Sequence, residues 1–296
     1  MLSGHKQRVK SALTRLMGGL PVPVADEAPR GANRDDLKRG VRHLASYIHQ
    51  LKNHDVKEVD VEVSDQLAML ELLARYAPRM QAQLGQDVFA LAMSGFKTGG
   101  TFIEVGAYDG IHMSNTYLLE ASYGWNGALV EPNPRQTATF ERRRACLFAK
   151  AAWSRSDESL TFRTTSEPAL AHLASVGSTD GHDRDDGENV TVQTITLDDV
   201  IARIGAPVTV DYLSIDTEGA EMDVLAGLSL NRLNIRTISV EHAHDMERLG
   251  RIDATILPHG YRRVMSDVSD FDAYYVKEET YAAWRRWVEA RFPTSV

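Results

Sequence analysis

The sequence predicts an α/β protein: a doubly wound, mostly parallel sheet preceded by an N-terminal helical extension. Three observations carry this expectation. From residue 100 onward, short apolar runs alternate with segments of helical periodicity, the pattern of βαβ units. The first run, "TFIEVGA", leads through two glycines into a helical segment, the arrangement in which a strand end approaches a ligand closely. The last two runs, "GYRRVMS" and "DAYYVK", are joined too briefly for a crossover and are therefore expected to be antiparallel.

Taken in order, residues 1–33 read as a basic, flexible tail. Arg15 interrupts the apolar stretch after the basic start, so a signal peptide is not expected. Residues 34–97 read as the helical extension. Within it, "RDDLKRGVRHLASYIHQLK" places Leu37, Val41, Leu44, Ile48 and Leu51 on one helical stripe. That stripe packs on its own domain or pairs with a second copy, which makes it a candidate homodimer contact. Further helices are expected at about 65–81 and 86–96.

Residues 98–296 form the main domain. Its expected strands are "TFIEVGA", "GALVEP", "LFAKAAW", "SLTFRTT", "VTVQTI", "VTVDYLSID", "TISVEHA" and the final pair. Helical patterns fall between them at "NTYLLEASYGW", "RQTATFERRRA", "LDDVIARIG" and "AEMDVLAGL", and "YAAWRRWVEARF" closes the domain. The acidic "STDGHDRDDGEN" lacks the apolar surface to be buried and reads as a solvated loop.

Composition narrows the function classes. The chain has 296 residues, 43% hydrophobic and 25% charged, with a net charge of −8. An acidic balance argues against a nucleic-acid partner. No apolar segment is long enough for stable membrane insertion. The single cysteine, Cys146, excludes an intramolecular disulfide and suits a reducing, cytoplasmic setting, with the thiol expected to be a small buried group.

The chemistry-bearing residues gather where apolar runs end. In "FIEVGAYDG" a strand runs into Gly106 and Gly110, and Ser114 or Asn115 is placed to cap the following helix. Glu131 ends the next run, 21 residues beyond Gly110, where an acidic residue grips the hydroxyls of a ribose. The dinucleotide fingerprint is absent, because Gly106 is followed by Ala107, Tyr108 and Asp109, and Glu104 lies inside the first strand. Extra carboxylates repel a pyrophosphate but favour a sulfonium or an amino group. The charge pattern selects S-adenosylmethionine over a nicotinamide cofactor.

The order "GTFIEVGAYDGIHMSNTYLLEASYGWNGALVEPNP", "VQTITLDDV", "DYLSIDTEGAEMDVLAGL" resembles the FkbM-type family of S-adenosylmethionine-dependent O-methyltransferases over about residues 100–276. The resemblance implies a class I methyltransferase, Rossmann-like fold: a seven-stranded, mostly parallel sheet with an antiparallel last strand. It implies that Glu104, Gly106, Asp109 and Gly110, with Ser114 beside them, line the methionine part of the cofactor. It places Glu131 on the ribose, Pro132 and Asn133 at the adenine side, and Ala151 bordering the adenine.

On the acceptor side, Asp216 ends the fourth strand, and Glu241 and His242 end the fifth. Oxygen and nitrogen ligands from adjacent strand ends suit a divalent cation, and Asp216, Glu241 and His242 are the candidate Mg²⁺ ligands. Some cation-dependent O-methyltransferases of this fold are similar in their acidic strand ends. Without a metal, Asp216 or His242 is the candidate base, with Glu218 beside them; His244 reads as a loop histidine. Glu221 falls in a first helical turn, where the macrodipole favours its charge. The expected activity is O-methylation of a sugar or polyhydroxylated natural product, so the partner is a small-molecule or glycan acceptor. A polyketide or phenolic acceptor, a non-catalytic nucleoside-binding module and a nicotinamide oxidoreductase are the competing readings.

Overall fold

The computed structural model describes residues 61–136, 140, 143, 145–166, 170–175, 187–205 and 209–291. The expected tail, the Leu37–Leu51 stripe with its dimer contact, and most of the acidic run lie outside the described residues. So does much of the helical reading of "RQTATFERRRA".

Two helices come first, α1 (Val61–Tyr76) and α2 (Gln86–Met93), both shorter at their C-terminal ends than expected. There follow β1 (Thr101–Val105), α3 (Tyr117–Tyr123), β2 (Asn126–Val130), β3 (Cys146–Phe148) and β4 (Ala151–Ala152). Next come β5 (Ser159–Arg163), β6 (His172–Leu173), β7 (Asn189–Ile195), α4 (Leu197–Arg203), β8 (Thr209–Ile215) and α5 (Glu221–Ala226). The chain continues through β9 (Asn234–Glu241), α6 (Met246–Ile256), β10 (Tyr261–Val264), β11 (Asp272–Lys277) and α7 (Glu278–Glu289).

The main sheet has seven strands in the order β10-β11-β9-β8-β1-β2-β3. It is mixed: β11 runs antiparallel to both neighbours, and the remaining pairs are parallel. A second sheet, β4-β7-β5-β6, was not legible as a separate unit. The run "LFAKAAW" divides between the two, β3 pairing with β2 and β4 with β7. Cys146 is exposed rather than buried, because β3 is the edge strand and its first residue faces outward.

Strand alternation splits the core in two. Phe102 and Tyr212 face a layer containing residues of α1, α2, α3 and α7. Ile103, Val105, Leu213 and Ile215 face α4, α5 and α6. The helices start and stop where side chains satisfy free backbone groups. The Thr196 hydroxyl accepts from Asp199 N at α4, and the Asp245 carboxylate accepts from Glu247 N and Arg248 N at α6. The N-terminal helix is tied into this body. Asp65 of α1 receives Arg285 Nη1 at 2.5 Å, Trp284 Nε1 at 3.0 Å and the Tyr281 hydroxyl at 2.7 Å, all from α7.

Candidate active site

Parallel strands deliver their C-terminal ends to one edge, and the principal cleft opens there. Its empty space, open solvent at the mouth included, is about 890 Å³. Its polar lining includes Gln83, Glu104, Tyr108, Asn115, Glu131, Asp216, Thr217 and Glu218, and part of its apolar wall comes from Ala151, Phe162 and Leu173 of the second sheet.

Between β1 and β8 the two backbones nearly touch. Gly106 has φ +78°, and a Cβ built there would lie 1.6 Å from the Asp216 carbonyl oxygen. Only glycine fits at that position, and the missing side chain lets the ends of β1 and β8 close together at the cleft, which Gly106 lines. Three non-glycine lining residues are also held at positive φ: Tyr108 (49°), Met113 (58°) and Glu218 (57°). Strain of this kind concentrates at functional sites.

Glu131 accepts from Tyr108 N at 3.0 Å through one oxygen and from Asn133 N at 2.7 Å through the other. These bonds fix the carboxylate plane and leave further lone pairs for ligand hydroxyls. Burial outweighs the two backbone donors and pushes its pKa up to about 7. Ala151 lines the same cleft.

The expected cofactor residues of the glycine loop divide into lining groups and scaffold. Glu104 lines the cleft, but its carboxylate is occupied by Ser114 Oγ at 2.9 Å, Asn115 N at 2.6 Å and Thr116 Oγ1 at 2.5 Å. Burial raises its pKa, opposed first by the charge of Arg143. Ser114 in turn accepts from Thr116 N and Tyr117 N, so it serves the start of α3. Asp109 holds Ile111 N at 2.8 Å and His112 N at 2.7 Å, and Gly110 gives its carbonyl to the buried Arg143. Asp109, Gly110, Ser114 and Asn133 stand behind the cleft wall and shape it. Arg143, half of its neighbourhood an arginine run in the sequence, gave no sign of this role. It bonds Gly110, Ser114 and Thr116 and pairs with Glu120 at 3.1 Å.

On the acceptor side, carboxylate oxygens of Asp216, Glu218 and Glu241 lie within 4.8 Å of one another. Burial, and then Glu221, pushes Asp216 up to about 7; burial, and then Asp216, raises Glu241 further still. Glu241 thus holds its proton more tightly because Asp216 lies beside it in a buried site. His242 does not join this group. Its backbone N–H donates to the Phe271 carbonyl at 2.8 Å, and burial lowers its pKa. His244 is a loop residue 3.4 Å from Asp270.

Glu221 does more than sit in a helix dipole. One of its oxygens accepts from Thr217 N at 3.1 Å, Thr217 Oγ1 at 3.0 Å and Gly219 N at 2.9 Å, while Arg248 approaches the other to 3.4 Å. It clamps the turn that presents Asp216 and Glu218.

A family model described as the methyltransferase FkbM domain matches residues 104–263, more than half of the chain. Among solved structures the chain is similar to methyltransferase FkbM from Methylobacillus flagellatus KT, at 12% identity and a TM-score of 0.39, over 82% of this chain. The chain spans 60% of the length of that protein. It is also similar to precorrin-6y C5,15-methyltransferase from Geobacter metallireducens GS-15, at 12% identity and a TM-score of 0.34, over 64% of this chain and 85% of that one. Among curated proteins nothing matches.

Proposed function

The chain belongs to the FkbM methyltransferase family, and from that premise we propose that it is an S-adenosylmethionine-dependent O-methyltransferase. The acceptor in this reading is a hydroxyl of a sugar or other polyhydroxylated natural product. One observation carries the cofactor: Glu131, oriented by two backbone N–H groups, shares a cleft with the Gly106 cradle and an apolar wall. That combination fits the ribose, the methionine end and the purine of the donor in turn. When bound, S-adenosylmethionine would supply an electrophilic methyl group on a positively charged sulfur.

The chain's own residues account for the remainder. Glu131 binds the two ribose hydroxyls, and the Gly106 backbone allows close approach. Asp216, poised near neutrality, accepts the proton of the acceptor hydroxyl as its oxygen attacks. Glu241 stands beside that base at the end of the neighbouring strand, and the charge of Asp216 favours the protonated form of Glu241. The trio Asp216, Glu218 and Glu241 also offers the hard oxygen donors that Mg²⁺ prefers, which supports metal assistance as a second reading. His242 is not among the donors in that reading.

The test has two arms. Calorimetry should show S-adenosylhomocysteine binding, weakened about tenfold or more in Glu131→Gln. Labelled donor incubated with a glycan and metabolite extract should yield a methylated acceptor, read by mass spectrometry with and without a chelator. Absence of nucleoside binding would sink the proposal, and a chelator-sensitive product would select the Mg²⁺ reading.

A further inference from the structure

The cleft poses a charge problem for the donor's amino-acid end, which carries an ammonium and a carboxylate. Glu104, Glu131, Asp216 and Glu218 line the cleft, and among its described lining residues there is no Lys, Arg or His. Carboxylates suit the ammonium, but the donor's own carboxylate needs N–H or O–H groups. Most of the side-chain amide and aliphatic hydroxyl donors in the wall are already engaged. Thr217 Oγ1 donates to Glu221 at 3.0 Å, and Asn115 Nδ2 donates to Ser214 Oγ at 2.9 Å. Gln83 differs: its Nε2 faces only the Met113 sulfur, at 3.2 Å. A thioether is a weak acceptor that a carboxylate readily displaces.

The segment carrying Gln83 is held firmly. Asp87, fully buried, accepts from Gln81 N at 2.9 Å, Ala82 N at 3.4 Å and Val88 N at 2.8 Å. Gln86 accepts from Leu84 N at 2.8 Å and donates to Asp272 at 2.9 Å. Ala82 forms a parallel bridge with Met113 of the glycine loop. Gln83 therefore reaches the cleft on a preorganised strut, against Met113 of the glycine loop, and shares the lining with Glu104 and Asn115.

We propose that Gln83, outside the family-matched residues, supplies the side-chain donor for the α-carboxylate of S-adenosylmethionine. This inference rests on the donor assignment above and makes the N-terminal segment part of the cofactor site. Calorimetry on the full chain compares S-adenosylhomocysteine with its decarboxylated analogue, which keeps the nucleoside and the ammonium. Gln83→Met retains length without the amide, and Gln83→Glu puts a like charge against the carboxylate. Gln83→Met should weaken S-adenosylhomocysteine about tenfold and the decarboxylated analogue by less than about twofold. Gln83→Glu should weaken S-adenosylhomocysteine further and leave the analogue bound. Equal losses on both ligands, or no loss on either, would overturn the inference while leaving the donor assignment standing. Failure of the unmutated chain to bind S-adenosylhomocysteine would instead remove the donor assignment itself.

Discussion

Asp216 and Glu221 are five residues apart, and their carboxylates do different work. Asp216 lines the cleft with its pKa pushed up to about 7 by burial, so at neutral pH it is split between acid and base forms. Its loss as a base should cost about 10²–10⁴-fold in turnover. Glu221 is fully buried and acts through the turn it grips. Asp216→Asn should therefore abolish the fall in kcat on the acid side of pH 7, together with most of the rate. Glu221→Gln should lower kcat less and preserve the shape of the profile. A pH–rate series on both variants decides the matter, and matching profiles would contradict the assignment. The strand-end acids were legible because carboxylates closing apolar runs have few structural reasons to be there. What each carboxylate bonds was not legible. Glu104 and Asp109 read as cofactor ligands, yet their oxygens are taken by backbone and hydroxyl donors of residues 111–116, a partnership settled only by the fold of the loop.

Among the elements, long apolar runs bounded by turns, such as β8 and β9, announced themselves, and so did the antiparallel pairing of β10 with β11. Short pieces did not. The strand β6 has two residues and β4 has two, too few for any periodicity, so the second sheet and its Phe162–Leu173 wall emerged only from tertiary pairing. The contact between α1 and α7 was equally hidden, since its members are more than 200 residues apart. Its strength can be measured. Arg285 is largely buried, and Asp65 compensates its charge while also receiving Trp284 and Tyr281. Asp65→Ala would leave that guanidinium with one partner fewer in a site shielded from water, a loss of about 3–5 kcal/mol. Chemical denaturation should show it as a lower midpoint. A change below about 0.5 kcal/mol, the size of an ordinary surface substitution, would mean that α1 is not held through this pair.

Across the whole molecule, buried acids crowd one edge of the sheet and set how stability varies with pH. Burial pushes Asp87 up to about 6 and Glu131 and Asp216 up to about 7, and it also raises Glu241 and Asp272 well above the usual carboxylate range. Each of these groups holds its proton more tightly in the folded chain than in the unfolded one. Below the unfolded carboxylate range both states are protonated and the full stability is present. As pH climbs through the folded values the folded state gives up protons that the unfolded state has already lost, and stability declines. Calorimetric melting of the ligand-free chain should therefore show a falling Tm from about pH 5 to pH 8. Glu241→Gln removes one acid from the cluster without changing its shape. It should raise Tm at pH 8 and flatten the decline, at the expense of turnover, as expected where function maintains mutual repulsion. A Tm that rises across that interval, or a Glu241→Gln chain that melts lower at pH 8, would mean that the cluster is already neutralised by contacts other than its own protons.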